Sequence, residues 1–266
     1  MIYRNGIKEA MESRGVAFGT FVQTASPESA ELAAASGFDY VTLDMEHGSF
    51  GMDTLVNLIR AVQVGGSTPI VRLPDGSETG ILRVLDAGAI GIVIPGVASA
   101  GEVRHIIRAA HYAPKGTRGS CPATRAAAHG IHDWKAHVEW CNQNIMVSVI
   151  IETVEGFEHV EEIASVPGLD GISFGQFDLA QAMGLEGQTH HPEVKQRIEE
   201  AMKIARKHSV EVSIHIFERT LPKIEEAARY WIQCGIRKIS CMSDRAILTS
   251  MERQLYSSLV AAAKQP

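Results

Sequence analysis

The chain has 266 residues, 45% hydrophobic and 21% charged, enough to bury a large core as one α/β barrel or two smaller domains. Its 25 basic and 31 acidic side chains leave a formal charge of −6 with no basic run, which excludes nucleic acid and anionic membranes as expected partners. No apolar run reaches the ~18 residues of a membrane span. The segment Met1–Gly6 lacks the apolar core of a signal peptide, and Cys121, Cys141, Cys234 and Cys241 form no Cys-x-x-Cys pair, so a cytoplasmic protein with reduced thiols is expected.

Short apolar runs alternate with helical patterns along the whole chain. The runs are Val16–Gln23, Tyr40–Leu43, Pro69–Arg72, Gly91–Ile94, Met146–Ile151, Gly171–Phe174, Val210–Ile216 and Arg237–Cys241. Most are rich in Val and Ile, the composition of parallel strands covered on both faces. Between them, Val103, Ile106, Ile107 and Ala110 fall on one helical stripe. Val194, Ile198, Ala201, Met202 and Ala205 form another, opened by Pro192 near its first turn. A third holds Ile224, Ala227, Ala228, Trp231 and Ile232, and the last holds Ile247, Met251, Leu255 and Leu259, with Ser243 or Asp244 placed to cap its start. Eight strand–helix units in a chain of this length predict a single (β/α)8 barrel over residues 1–266 rather than an open doubly wound sheet. The longest irregular stretch, Tyr112–Gly130, is expected to be an active-site loop.

In such a barrel the C-terminal ends of the strands share one mouth. The second run ends in Asp44, Glu46 and His47, the third in Arg72, and the fifth is followed at once by Glu152. The sixth leads into Asp178, within Gly175-Gln176-Phe177-Asp178-Leu179, while the fourth ends in Pro95-Gly96 and offers no charge. Each residue has a plainer reading as a loop cap, a solvated carboxylate, a structural histidine or an internal ion-pair partner. What favours a site is that four strands deliver ionisable groups to one rim. Glu152 and Asp178 come from neighbouring strands, and two like charges there are unfavourable unless a cation bridges them. A hard divalent ion such as Mg²⁺ or Mn²⁺, held by two carboxylates, waters and substrate oxygens, suits that ligand set.

Other patterns carry less. The glycines around Gly65-Gly66 and Gly88–Gly91 do not form a dinucleotide fingerprint. No Gly-x-Ser-x-Gly elbow is present. Lys238 lies inside the eighth run and makes a poor Schiff-base nucleophile, and His208, His215 and Cys241 lie on no ligand spacing. The acidic run Glu158–Glu162 reads as a solvated helix face.

In order and spacing, the segments Gly37–His47, Val71-Arg72, Val84–Ala89, Pro114–Gly119, Thr124–Ala126, Ile151–Thr153, Gly175–Leu179 and His191–Val194 resemble the HpcH/HpaI aldolase family of metal-dependent class II pyruvate aldolases. The similarity runs from about Phe18 to the last helix and implies a phosphoenolpyruvate/pyruvate-type barrel. It implies cleavage of a 4-hydroxy-2-oxo acid into pyruvate and an aldehyde through a stabilised enolate. By the same resemblance, His47 is the catalytic base with Asp44 its near partner, and Asp86 the acid that raises its basicity. Arg72 polarises the substrate carbonyl, and Glu152 and Asp178 ligate Mg²⁺ or Mn²⁺, with Co²⁺ or Zn²⁺ as substitutes. Gly175, Gln176, Phe177 and Asp178 hold the pyruvate end, and Arg125 contacts the second substrate. A homo-oligomer, trimer or hexamer, with the last helix exchanged between barrels, is implied too. Two positions depart from the family's pattern. Ile150 stands where some members carry a substrate-binding glutamine, and Gln176 replaces the usual proline. Enolate stabilisation on such a site would also serve an oxaloacetate decarboxylase or a citramalyl- or malyl-CoA lyase, though no basic cluster offers an acyl-CoA site. A silent binding barrel is the third reading, against which the intact His47, Arg72, Glu152 and Asp178 stand.

Overall fold

The computed structural model describes residues 4–131 and 133–263. Helix α1 (Gly6–Arg14) comes first. The strands are β1 (Ala17–Val22), β2 (Tyr40–Asp44), β3 (Thr68–Arg72), β4 (Gly91–Ile94), β5 (Met146–Ile151), β6 (Gly171–Phe174), β7 (Glu211–Ile216) and β8 (Lys238–Ser243). The helices between them are α2 (Pro27–Ala35), α3 (Met52–Val64), α4 (Glu78–Asp86), α5 (Ala100–Ala110), α6 (Trp134–Asn144), α7 (Val154–Glu158), α8 (Val160–Ala164), α9 (Gln176–Ala182), α10 (Pro192–Lys207) and α11 (Leu221–Gln233), and α12 (Asp244–Ala263) closes the chain. The strands pair in parallel in sequence order and β8 returns to β1, so the expected (β/α)8 barrel is the fold observed.

Two-residue periodicity sorts each strand. Val41, Leu43, Val71, Ile92, Val147, Val149, Ile172, Ile214 and Ile239 point outward into one continuous core under the helices. Ala17, Tyr40, Ile70, Val93, Met146 and Ile150 belong to a second cluster that also takes in Ile7, Ala10 and Met11 of α1. That second cluster is the barrel interior, and α1 closes its N-terminal end. Gly6 donates its N–H to Thr68 Oγ1 at 2.8 Å, and Asn5 donates to the Asn144 carbonyl at 3.0 Å. Removing most of one of these fully buried side chains costs ~2–5 kcal/mol, because the surrounding shell cannot collapse.

The same alternation aims the functional groups. Asp44 follows Tyr40 and Thr42 inward on β2, and it stands in register with Arg72 on β3. Glu152 continues the inward series Ser148, Ile150 beyond the end of β5.

One expectation changes. The segment Tyr112–Gly130 was expected at the mouth. It leaves the C-terminal end of α5 instead, and a helix that follows a parallel strand runs back toward the strand's start. The segment therefore packs at the N-terminal end of the barrel, where Arg118 Nη2 bonds Asp86 Oδ1 and Arg125 Nη1 bonds the Ala87 carbonyl. The stripe on α12 is not buried on its own barrel. Ile247, Leu248, Met251, Leu255, Tyr256 and Leu259 are 44% to 71% exposed, and the one buried residue of α12 is Asp244. Of the two candidate caps of α12, Ser243 takes the capping position, and Asp244 accepts from the Arg245 N–H at 2.8 Å. Ser243 Oγ accepts from the Ala246 N–H, while the Asp244 carboxylate takes the N–H groups of Gln23 and Thr24.

Candidate active site

Asp44 and Arg72 form the centre of the mouth. Asp44 is fully buried. Its carboxylate accepts from Arg72 Nε at 2.9 Å and Nη2 at 2.7 Å, the bidentate fork that the guanidinium favours. Gln23 Nε2 donates to it at 2.8 Å, and the backbone N–H groups of Glu46 and His47 donate at 3.2 Å each. Burial pushes the Asp44 carboxyl up, but Arg72 and Gln23 outweigh it and hold the group below the ordinary carboxylate value. Burial likewise opposes the charge on Arg72, and Asp44 overcomes it. The Phe21 ring lies against the guanidinium at 5.2 Å.

The resemblance made Asp44 the near partner of the His47 ring. In the structure Asp44 binds the His47 backbone and fixes the turn after β2, while its charge belongs to Arg72. The carboxylate beside the imidazole is that of Glu46, with Oε2 3.7 Å from His47 Nε2 and 3.1 Å from Arg72 Nη1. The His47 side chain is 63% exposed and faces the open mouth. Its loop is tied down from the far side by Arg245 of α12, whose Nη1 donates to the His47 carbonyl at 3.1 Å.

Glu152 and Asp178 complete the rim. Burial, then the charges of Asp178 and Glu46, push the Glu152 carboxyl up to about 7. Asp178 sits in the first turn of α9. Gly175 makes the approach possible, since a Cβ there would stand 2.7 Å from Glu152 Oε2 and 2.5 Å from its Cβ. Gln176 is buried, whereas Phe177 is half exposed and its ring covers Gly187. The β7 side of the mouth carries His215, which stacks edge-on against Phe21 and Phe217 and shares a 2.9 Å hydrogen bond between Nδ1 and Ser240 Oγ. Burial and the nearby Arg72 push it down to about 4, so it is a neutral group at physiological pH.

Asp86 and Arg125 lie elsewhere in the chain. Asp86 ends α4, so it stands at the barrel's N-terminal end, paired with Arg118 at 2.7 Å. Arg125 spans from the Ala87 carbonyl to Gln63 on α3 at that same end. Lys238, the first residue of β8, is buried above the Tyr40 ring at 5.1 Å, and burial pushes it down to about 8. Gln23 and Phe21, which the sequence reading passed over, and Glu46, which it placed at the rim without a role, touch the central pair. A polar Gln ending the first apolar run was the available signal for Gln23. For Glu46 it was the Asp-x-Glu-His order, in which alternation stops at the strand end and a turn redirects the side chain.

Counting charges, the mouth gathers Asp44, Glu46, Glu152 and Asp178 around one arginine. A closed barrel thus carries at its C-terminal mouth a cluster of carboxylates, a largely buried guanidinium and an exposed histidine. The chain matches the model of the HpcH/HpaI aldolase/citrate lyase family over residues 17–243, and it belongs to that family. It is 31% identical over 258 residues to the 5-keto-4-deoxy-D-glucarate aldolase of Enterobacter sp. (strain 638), covering 97% of each chain. It is 30% identical over 249 residues to the 2-dehydro-3,6-dideoxy-6-sulfogluconate aldolase of Pseudomonas putida, covering 94% of each. Among solved structures, a HpcH/HpaI aldolase/citrate lyase family protein from Burkholderia cenocepacia J2315 superposes with a TM-score of 0.87 at 27% identity, over 96% of this chain and 99% of that one. As an aldolase-family member the protein is a carbon–carbon lyase.

Proposed function

We propose that the protein is a divalent-metal-dependent aldolase that reversibly splits a 4-hydroxy-2-oxo acid into pyruvate and an aldehyde. The observation that carries this is the surplus of negative charge: one guanidinium, already matched by Asp44, stands among three further carboxylates. Such a set is costly when empty and suits a hard cation. The Glu152 carboxyl pushed up to about 7 is the same strain seen from one group. Glu152 and Asp178 are the residues that would hold the ion.

A bound divalent ion supplies Lewis-acid polarisation of the 2-oxo group, worth several kcal/mol. The rest falls to the chain itself. Arg72, fixed by Asp44 and Phe21 and with Nη1 3.1 Å from Glu46 Oε2, is the cation that would meet negative charge growing on the enolate oxygen. His47, exposed on its turn, takes the C4-hydroxyl proton in cleavage and returns a proton to C3 of the enolate. The substrate carboxylate docks beside Gly175, at the first-turn amides of Gln176 and Phe177, which have no partners within the helix. No step is routed through Asp86 or Arg125, which this chain holds at its other end.

A coupled pyruvate-release assay across a panel of 4-hydroxy-2-oxo acids tests the reading. Turnover is expected only with added divalent ion, and full activity after exhaustive chelation would sink it. His47→Ala should lower kcat by about 10²–10⁴-fold while leaving metal affinity intact. The exposed stripe of α12 supports a homo-oligomer in which that helix packs on a second barrel, as a trimer or hexamer. A monomer by light scattering at micromolar concentration would refute that assembly. Oxaloacetate decarboxylation on the same site is the second reading, since Arg72 and the carboxylate pair would stabilise the same enolate. Oxaloacetate in the same assay separates the two.

A further inference from the structure

His47 moves the proton in the reaction above, yet its side chain does little to place itself. The ring is 63% exposed, and its charged neighbour, Glu46, stands 3.7 Å away. Where such a ring points is set by the backbone that carries it, and a displacement of about 1 Å can cost ~10²-fold in rate. The turn after β2 folds back tightly, since a Cβ on Gly48 would stand 2.0 Å from the Asp44 carbonyl oxygen. From the barrel side, Asp44 Oδ1 accepts the N–H groups of Glu46 and His47 at 3.2 Å each. From the outer side the turn is held by Arg245 of α12. Its Nη1 donates to the His47 carbonyl at 3.1 Å, and its Nη2 donates to the Gln23 carbonyl at 2.9 Å and to Ser49 Oγ. The Ser49 N–H meets the same Gln23 carbonyl at 3.1 Å, so one guanidinium staples the loop after β1 to the turn after β2. Asp244, buried beside it, accepts the N–H groups of Gln23 at 2.9 Å and Thr24 at 3.1 Å. The first two residues of α12 thus grip Gln23 by its N–H and its carbonyl.

The plainer reading is a surface arginine that stabilises its helix. Two observations oppose it. Arg245 is the second residue of α12, where the helix dipole favours an acid and disfavours a cation. Among the described residues its guanidinium meets no carboxylate, and its donors go to two carbonyls and a hydroxyl.

We propose that Arg245 is a positioning residue for the base: it fixes the turn that carries His47, and so makes the place of the ring depend on how the first turn of α12 is seated. This rests on the aldolase reading above, in which His47 moves the proton. Arg245 acts only through the turn.

The test is a double-mutant cycle with His47, read by pyruvate release with saturating Mn²⁺ from the best 4-hydroxy-2-oxo acid of the panel. Arg245→Met keeps the stem and removes the donors. In the parent it should lower kcat about tenfold, with KM and Mn²⁺ affinity within about twofold. Arg245→Lys, which can still serve one carbonyl, should recover part of the rate. In a His47→Ala background, Arg245→Met should change the residual rate less than about twofold, because the group it places is gone. Amide hydrogen exchange reads the same tie without turnover. Residues 45–49 should exchange about tenfold faster in Arg245→Met, with β5 and β6 unaltered. Equal losses in both backgrounds, or weakened Mn²⁺ binding, would show that Arg245 merely supports the whole mouth, and would overturn the proposal. A kcat within about twofold of the parent, or unaltered exchange in the turn, overturns it as well. Each of those results leaves the aldolase reading standing, since the parent is active. A parent that releases no pyruvate with any divalent ion defeats that reading and this inference with it.

Discussion

The two ends of the barrel use the same residue types to opposite ends. At the N-terminal end, Asp86 is matched by Arg118, Arg125 by a carbonyl and Gln63, and Lys238 is stripped of water above Tyr40 under the plug of α1. At the C-terminal mouth Asp44 and Glu46 share the single guanidinium of Arg72, and the carboxylates of Glu152 and Asp178 are added beside them. Charges that serve stability are neutralised within the chain. At the mouth the acids outnumber the one guanidinium, which is the excess the proposed metal would answer.

That contrast breaks most visibly at Arg72. Arg72→Ala should lower kcat/KM by about 10²–10³-fold, the usual loss for a group aimed at developing negative charge. Steady-state kinetics with saturating metal measures it, and a loss below tenfold would move the enolate-stabilising role to another residue. Asp44→Asn removes the partner of a buried guanidinium and should destabilise the protein by about 3 kcal/mol in urea unfolding. An unchanged midpoint would show that Gln23 and Glu46 suffice to hold Arg72.

The pH dependence of the metal-free protein sharpens the comparison further. Glu152 is pushed up to about 7 in the fold, chiefly by burial, so the folded state keeps a proton that the unfolded state has released. Stability on this account is full below the unfolded value, about 4.5, and falls as pH rises toward 7. Partial exposure screens the effect, leaving on the order of 1–2 kcal/mol. Glu152→Gln should flatten that slope, and added Mn²⁺ should reverse it. A slope of the same size in Glu152→Gln would assign it elsewhere. The smallest effect belongs to the other end. Lys238→Met replaces a buried, weakly basic amine with a side chain of similar length, and should change kcat less than threefold and stability by under ~1 kcal/mol. A large loss of activity there would contradict the division between the two ends.

Much of this was legible in the chain. Three of the apolar runs, Gly91–Ile94, Met146–Ile151 and Gly171–Phe174, coincide with β4, β5 and β6. The others differ by a few residues at their ends, where fraying and turns blur the pattern. Two-residue alternation was enough to turn Asp44, Arg72 and Glu152 inward, because a strand side chain has only two directions to point. The stripe of α10 is buried as its spacing requires, whereas the equally regular stripe of α12 is exposed. Periodicity states that a face is apolar and is silent on what covers it.

Where alternation ends, so does the reach of sequence. The resemblance gave His47 Asp44 as its near carboxylate partner, and the structure puts Glu46 against the ring instead. Asp44 and Glu46 are both near in the chain, and only the competing pull of Arg72 on Asp44 leaves Glu46 against the ring. The placement of Asp86 and Arg125 was likewise beyond it, since resemblance gives a residue a role while the return direction of α4 and α5 gives it a location. By itself the sequence determined the barrel, the inward set of strand-end groups and the excess of acid among them, all consequences of local period and composition. Tertiary structure alone decided which acids pair with Arg72 and which face of α12 is left uncovered, because those depend on contacts between elements that no local pattern encodes.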